Sequence, residues 1–178
     1  MPCGATRSLH RLKEWIFTKI CSGKGNAMAN DKKLFAMFGE MDFEELNKAA
    51  EGLKEEGDLE SLEALALENG LDPEDAEDYA SGDVKQLATL RQAALGRIKV
   101  QEKQTAIPET AAQIIYGMAR AMTTDPEACK AFMKKGSRID KVWSVLEKKA
   151  RDSKKGSVGV ACGTDRDLKE IILKAVMG

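Results

Sequence analysis

The sequence predicts a mainly α protein, with an acidic N-terminal helical bundle and a basic C-terminal helical module that carries one short β-strand. Apolar residues recur at helical spacing through most of the 178 residues, and Asp and Gly punctuate them as starts and stops. Aromatic residues make up only 5% of the chain, so the expected core is aliphatic. An apolar fraction of 43% beside 32% charged residues is that of a globular chain forming one ordinary domain or two small ones.

Residues 1–29 stand apart as a basic extension. Gly23-Lys24-Gly25, encoded by purine-rich codons just ahead of Met28, has the position of a ribosome-binding site, which makes Met28 the expected start of translation. The rival view of this stretch is a basic amphipathic helix around Leu9, Leu12, Trp15, Ile16 and Ile20.

Residues 30–100 make the expected acidic module. Asp42 precedes Phe43-Glu44-Glu45-Leu46 with Glu45 at the third helical position, the pattern of a capping box, and Leu46, Ala49, Ala50 and Leu53 follow until Gly57. Asp58 opens a second helix with Leu59, Leu62, Leu65 and Ala66, closed by Asn69-Gly70. Asp72 with Pro73 opens a third, ended by Ser81-Gly82. Asp83 is expected to start a longer fourth helix through Val84, Leu87, Leu90, Ala94, Leu95 and Ile98. Across residues 96–105 the periodicity lapses into Lys and Gln, which marks the expected handover to a second module, residues 101–178.

In that module Pro108 opens a helix with Ala111, Ala112, Ile115, Met118, Ala119 and Met122 on one side, broken at Thr124-Asp125-Pro126. A short helix runs to Lys134 and stops at Gly136, and another from about Ser137 buries Ile139, Val142, Trp143, Leu146 and Ala150. Ser157-Val158-Gly159-Val160-Ala161-Cys162 is the single β-like run, and a last helix from Thr164 or Asp165 carries Leu168, Ile171, Ile172, Ala175 and Val176. A lone strand needs a neighbour, so pairing with a second copy in a homodimer is an expectation.

Charge is strongly segregated beneath a formal net charge of −1. Residues 1–30 carry +4, residues 31–83 carry −14 and residues 84–178 carry +9. Two opposite fields of this size each suit a different partner. Residues 59–81 have the skeleton of a helix-turn-helix, but the second helix shows Glu74, Asp75, Glu77 and Asp78 and no base, so it would repel a duplex. The inverse inference is a carboxylate surface standing where a phosphate backbone would sit, with Asp58, Glu60, Glu63, Asp72, Glu74, Asp75, Glu77 and Asp78 as the candidate partner-binding residues. A solvated face is the plainer account of the same charges, and Asp72-x-Glu74-Asp75 lacks the alternating ligands, central Gly and terminal Glu of a calcium loop. Between Lys130 and Lys155 ten bases oppose three acids, the density that a phosphate-binding surface requires. Lys134, Lys135, Arg138, Lys141, Lys148 and Lys149 are the candidate nucleic-acid-binding residues for DNA or RNA, against the alternatives of a solvated face or a clasp on the acidic module. Only Phe132 and Trp143 interleave, so phosphate contact is expected rather than base stacking.

The chain does not look like an enzyme. Its single His, His10, lies near the N-terminus, and neither a nucleophile–base pair nor a metal-ligand spacing is visible, so no catalytic residue, metal or cofactor is expected. Cys3, Cys21, Cys129 and Cys162 are scattered without a CxxC, consistent with reduced thiols in a cytoplasmic protein. No apolar run approaches the length of a membrane span, so no membrane partner is expected.

Three stretches carry a family resemblance. Leu34-Phe35-x-Met37-Phe38-Gly39-Glu40-x-Asp42, Ala49-Ala50-x-x-Leu53-x-x-Glu56-Gly57-Asp58 and Glu68-Asn69-Gly70-Leu71-Asp72-x-Glu74-Asp75-Ala76-x-Asp78-Tyr79 resemble small proteins on phages and conjugative elements of gut Firmicutes, among them type II-A anti-CRISPR proteins that inhibit Cas9. Lys135-Gly136-Ser137, Lys148-Lys149-Ala150-Arg151 and Val158-Gly159-Val160 before a last helix look like the PcfK-like module of the same neighbourhood. The resemblance implies a partner, Cas9 or its guide RNA complex in the bacterial host cytoplasm, and a mechanism. Carboxylates would occupy the Arg- and Lys-lined cleft that reads the protospacer-adjacent motif, in competition with target DNA. The alternative is a non-enzymatic DNA-binding accessory protein of a conjugative element or phage, using the basic face on DNA and the acidic module for protein contacts.

Overall fold

Residues 34–154, 161–162 and 164–177 are described by the computed structural model; among them the chain forms eight α-helices and no strand. The extension at residues 1–29 and most of the β-like run, residues 157–160, lie outside the described residues. Ala161 and Cys162, the end of that run, are not in a strand.

Local capping chemistry sets the helix ends where the sequence places them. In α1 (Phe43–Glu56) the Asp42 Oδ1 accepts the Glu45 N–H at 2.9 Å, and the Glu45 Oε2 accepts the Asp42 N–H at 3.0 Å. Gly57 ends it in the left-handed region at φ +71°. Helix α2 (Leu59–Glu68) begins where the Asp58 Oδ1 accepts the Ser61 N–H at 3.0 Å. Helix α3 (Pro73–Ser81) has Pro at its first position, where a missing N–H costs nothing.

The fourth helix differs from expectation. It starts at Leu90, not Asp83, because Thr89 supplies the cap: its Oγ1 accepts the Gln92 N–H at 3.3 Å and the Gln92 Oε1 accepts the Thr89 N–H at 2.9 Å. Residues 83–89 are instead a connection pinned by Asn47, whose side-chain amide donates to the Ala88 carbonyl and accepts the Ala88 N–H, each at 3.2 Å. Leu87 and Ala88 are therefore buried without being helical. Helix α4 (Leu90–Gln104) also runs unbroken through residue 100, where the composition suggested a handover. Periodicity lapses there because Arg97 and Gln101, four residues apart on the inner face, are polar yet buried.

Helices α5 (Glu109–Met122), α6 (Pro126–Met133), α7 (Asp140–Asp152) and α8 (Asp165–Met177) complete the fold. Helix α1 packs on α2 and α2 on α3; α4 packs on α5 and α6; α8 closes against α5, α6 and α7. All eight helices belong to one compact unit with a continuous core, from Leu46, Leu62 and Leu65 through Ile98 to Ile115, Phe132, Ile139 and Ile172. The turn after α2 lies directly on α4: a Cβ built on Gly96 would sit 2.3 Å from the Asn69 carbonyl oxygen, and one on Gly70 2.3 Å from the Gly96 oxygen. Only glycine permits that approach, and Gly70 also has φ +75°.

Candidate functional site

The eight candidate carboxylates fall into two groups. Asp58, Asp72 and Asp75 are engaged locally. Asp58 caps α2, and the Ser61 hydroxyl and N–H hold its carboxyl below the ordinary range. Asp72 pairs with Lys99 at 3.3 Å. The Asp75 Oδ2 accepts the Asp72 N–H at 3.0 Å, and its Oδ1 accepts from Gln92 Nε2 at 3.4 Å. Glu63 is half-buried on α2. Glu60 on α2 and Glu74, Glu77 and Asp78 on α3 are exposed and have no ion pair among the described residues. Since α2 packs on α3, these four share one pair of helices.

The acidic surface extends onto α1, which the sequence reading passed over. Tyr79 of α3 has a hydroxyl pKa raised by burial and then by the charges of Glu51 and Glu55, so both α1 carboxylates stand close to α3. Their i, i+4 spacing on the exposed face of an amphipathic helix was the available signal. Lys54, between them in sequence, is not a surface counter-charge: its Nζ lies 4.4 Å from the Tyr79 ring centroid and donates to the Tyr79 carbonyl at 2.5 Å.

The basic run likewise divides. Its leading end folds onto the N-terminal region of the unit: Lys135 pairs with Glu45 of α1, and Arg138 reaches Glu40 at 3.4 Å. The Lys135 ammonium holds the Glu45 carboxyl below its usual range. Lys130 pairs with Glu127 at 2.8 Å, and the Lys134 Nζ donates to the Met177 carbonyl at 3.3 Å. Lys141, Lys148 and Lys149 lie exposed on α7, without ion pairs among the described residues.

Between these surfaces runs a buried polar seam. Arg97, 1% exposed, meets Glu40 at 3.0 Å, donates to the Met41 carbonyl, and lies 5.0 Å from the Phe35 ring centroid. Gln101 donates to the Ser137 carbonyl at 3.0 Å and accepts the Ile139 N–H at 2.8 Å. The non-helical segment 34–42 is thereby strapped down, and the Glu68 carboxylate adds hydrogen bonds from the N–H groups of Met37 and Phe38 at 2.6 and 2.9 Å. The Arg97 charge is paired from within by Glu40, while Arg97 Nε and the Ser137 hydroxyl are buried without a hydrogen-bond partner among the described residues.

An open groove of about 950 Å³ lies where the α1 N-terminus meets α6 and the end of α8, lined by Asp42, Phe43, Leu90, Lys134, Lys135 and Met177 among others. It mixes both charge signs with apolar floor and brings no nucleophile and base together. Among the described residues no group of three or more His, Cys, Asp or Glu is placed to hold a metal ion, and no helix is long and apolar enough to cross a membrane. Set beside known proteins, the chain matches no family model, no curated protein and no solved structure.

Proposed function

We propose that this protein is an anti-CRISPR inhibitor of Cas9 that binds the effector and competes with target DNA through a carboxylate surface. The supporting observation is the exposed set Glu60, Glu74, Glu77 and Asp78 on the packed pair α2–α3, flanked by Glu51 and Glu55 of α1. Carboxylates without ion pairs among the described residues present a negative field to an incoming cationic cleft. Cas9 holds its duplex with such a cleft, reading the protospacer-adjacent motif through arginines. The motif resemblance at residues 34–42, 49–58 and 68–79 names the effector, and the field supplies the mode of action.

Guide-loaded Cas9 is incubated with the protein at physiological salt, and capture is measured with and without a target duplex bearing the motif. The proposal expects capture that the duplex displaces, and loss of capture in E60Q/E74Q/E77Q/D78N. That variant leaves Asp58, Asp72 and Asp75, and hence the helix caps and the Lys99 pair, in place. Absence of capture, or capture that neither the duplex nor the variant reduces, overturns it.

A further inference from the structure

Helix α7 has an apolar face and a predominantly basic one. At 100° per residue, Val142, Trp143, Leu146 and Ala150 form the side that packs inward, with Val142 and Leu146 buried. Lys141 and Lys148 lie within about 20° of each other on the opposite side, flanked by Lys149 and Arg151, with Lys154 just past the helix end. All five are exposed and outnumber the acids beside them: Asp152 shares their face within about 20° of Lys141, Glu147 lies at its edge, and Asp167 and Glu170 of α8 line a groove with Val145 and Lys149. Asp140, the remaining acid of α7, is turned to other work: its Oδ1 accepts from the Tyr116 hydroxyl at 2.7 Å and the Thr105 hydroxyl at 2.6 Å. Lys130 is thus paired within its own helix, the tertiary fold pairs Lys135 and Arg138, and the α7 cations have no ion pair among the described residues.

We infer that the outer face of α7 is a docking surface for the phosphate backbone of duplex DNA, independent of base sequence and of the Cas9 reading. Charge complementarity selects a polyanion. The one aromatic of α7, Trp143, is half-buried and packed against the core, so the face has no ring on which an unpaired base could stack, which favours a duplex over a single strand. Ser144 and Val145 lie among the lysines, and the one Arg of the face, Arg151, stands at its edge in the last turn, so phosphates rather than base edges are contacted. A helix of 13 residues, about 20 Å long, fits within the major groove of B-form DNA with its lysines on the flanking phosphates, whereas the deep, narrow major groove of an A-form duplex excludes it.

The test is fluorescence anisotropy of a labelled 20-base-pair DNA duplex of arbitrary sequence, titrated with the full chain from 50 to 200 mM salt and without Cas9. If Lys141, Lys148 and Lys149 each neutralise one phosphate, they contribute about −2.7 to the slope of log affinity against log salt. That amounts to about a 40-fold fall in affinity over this range. K141Q/K148Q/K149Q should flatten the slope by that amount while keeping the wild-type melting temperature, because all three side chains are exposed. K130Q/K135Q, which removes cations already paired with Glu127 and Glu45, should leave the slope unchanged. No salt-dependent binding by the wild type, an unchanged slope in the triple variant, or flattening by K130Q/K135Q instead would overturn the inference. So would tighter lysine-dependent binding of an A-form RNA duplex. Since Cas9 is absent, each of these outcomes is separate from failure of the Cas9 capture.

Discussion

Gly96→Ala sets helix propensity against packing at one atom. In an exposed helix interior the change gains about 1 kcal/mol, because alanine loses less backbone entropy on folding. Here the new methyl would lie 2.3 Å from the Asn69 carbonyl oxygen, more than 1 Å inside ordinary contact, and 3.3 Å from the Gly70 carbonyl carbon. Both obstacles are backbone, so no rotamer change relieves them, and the turn after α2 must lift off α4. Overpacking of this kind costs about 1–3 kcal/mol, and an unyielding neighbour places it at the upper end. The net expectation is a loss of about 2 kcal/mol, or a fall in Tm of about 4–8 °C for a domain of this size. Gly52→Ala in α1 and Gly117→Ala in α5 are the matched controls, since a Cβ at either position meets nothing within 4 Å. Each should stabilise by about 0.5–1 kcal/mol. Thermal unfolding followed by circular dichroism measures all three. A Gly96→Ala protein that melts at or above the wild type, or controls that fall with it, would refute the close-approach reasoning.

Two further outcomes follow from the polar interactions. Glu40→Ala should cost about 3–5 kcal/mol in urea unfolding at pH 7, because it leaves the Arg97 guanidinium buried without its carboxylate, while Glu40→Gln should cost less; a loss below about 1 kcal/mol would show that the seam is not a charge pair. The Glu45 carboxyl is lowered mainly by its Lys135 hydrogen bond, and that of Asp58 by Ser61. A depressed folded value contributes stability that is present above the unfolded carboxylate pKa, near 4, and lost as pH falls through the folded value. Glu45→Gln and Asp58→Asn should therefore each flatten the acid limb of the Tm–pH curve, and an unaltered limb in both would contradict those contacts.

The candidate surfaces were legible to different depths. The exposed carboxylates of α3 could be named from the sequence because a nine-residue helix with a single buried stripe at Ala76 and Tyr79 leaves Glu74, Glu77 and Asp78 nowhere else to go. Asp58 was legible as the cap of α2, whereas the Asp75 bond to Gln92 was not, since that partner lies 17 residues away across helices. Glu51 and Glu55 were passed over because their nearness to Tyr79 depends on how α1 meets α3. The ten bases between Lys130 and Lys155 read as one run, yet two of them pair with acids far away in sequence: Glu45 is 90 residues from Lys135, and Glu40 is 98 from Arg138.

What the sequence determined by itself is what is encoded within one helical turn. Asp42 with Glu45, Asp58 with Ser61, Pro73 after Asp72, and the left-handed glycines 57 and 82 place helix ends through bonds spanning three or four residues, whatever the rest of the chain does. Asp83 misled because a polar residue before apolar ones signals a start only if no later residue caps better, and Thr89 with Gln92 does. Only the tertiary structure decided that Arg97 and Gln101 lie inside, that Gly70 and Gly96 touch, and that one basic run becomes a paired half and an exposed half. Burial and charge pairing depend on which surfaces the packed helices bring together, and that information is spread along the whole chain rather than held in any one segment of it.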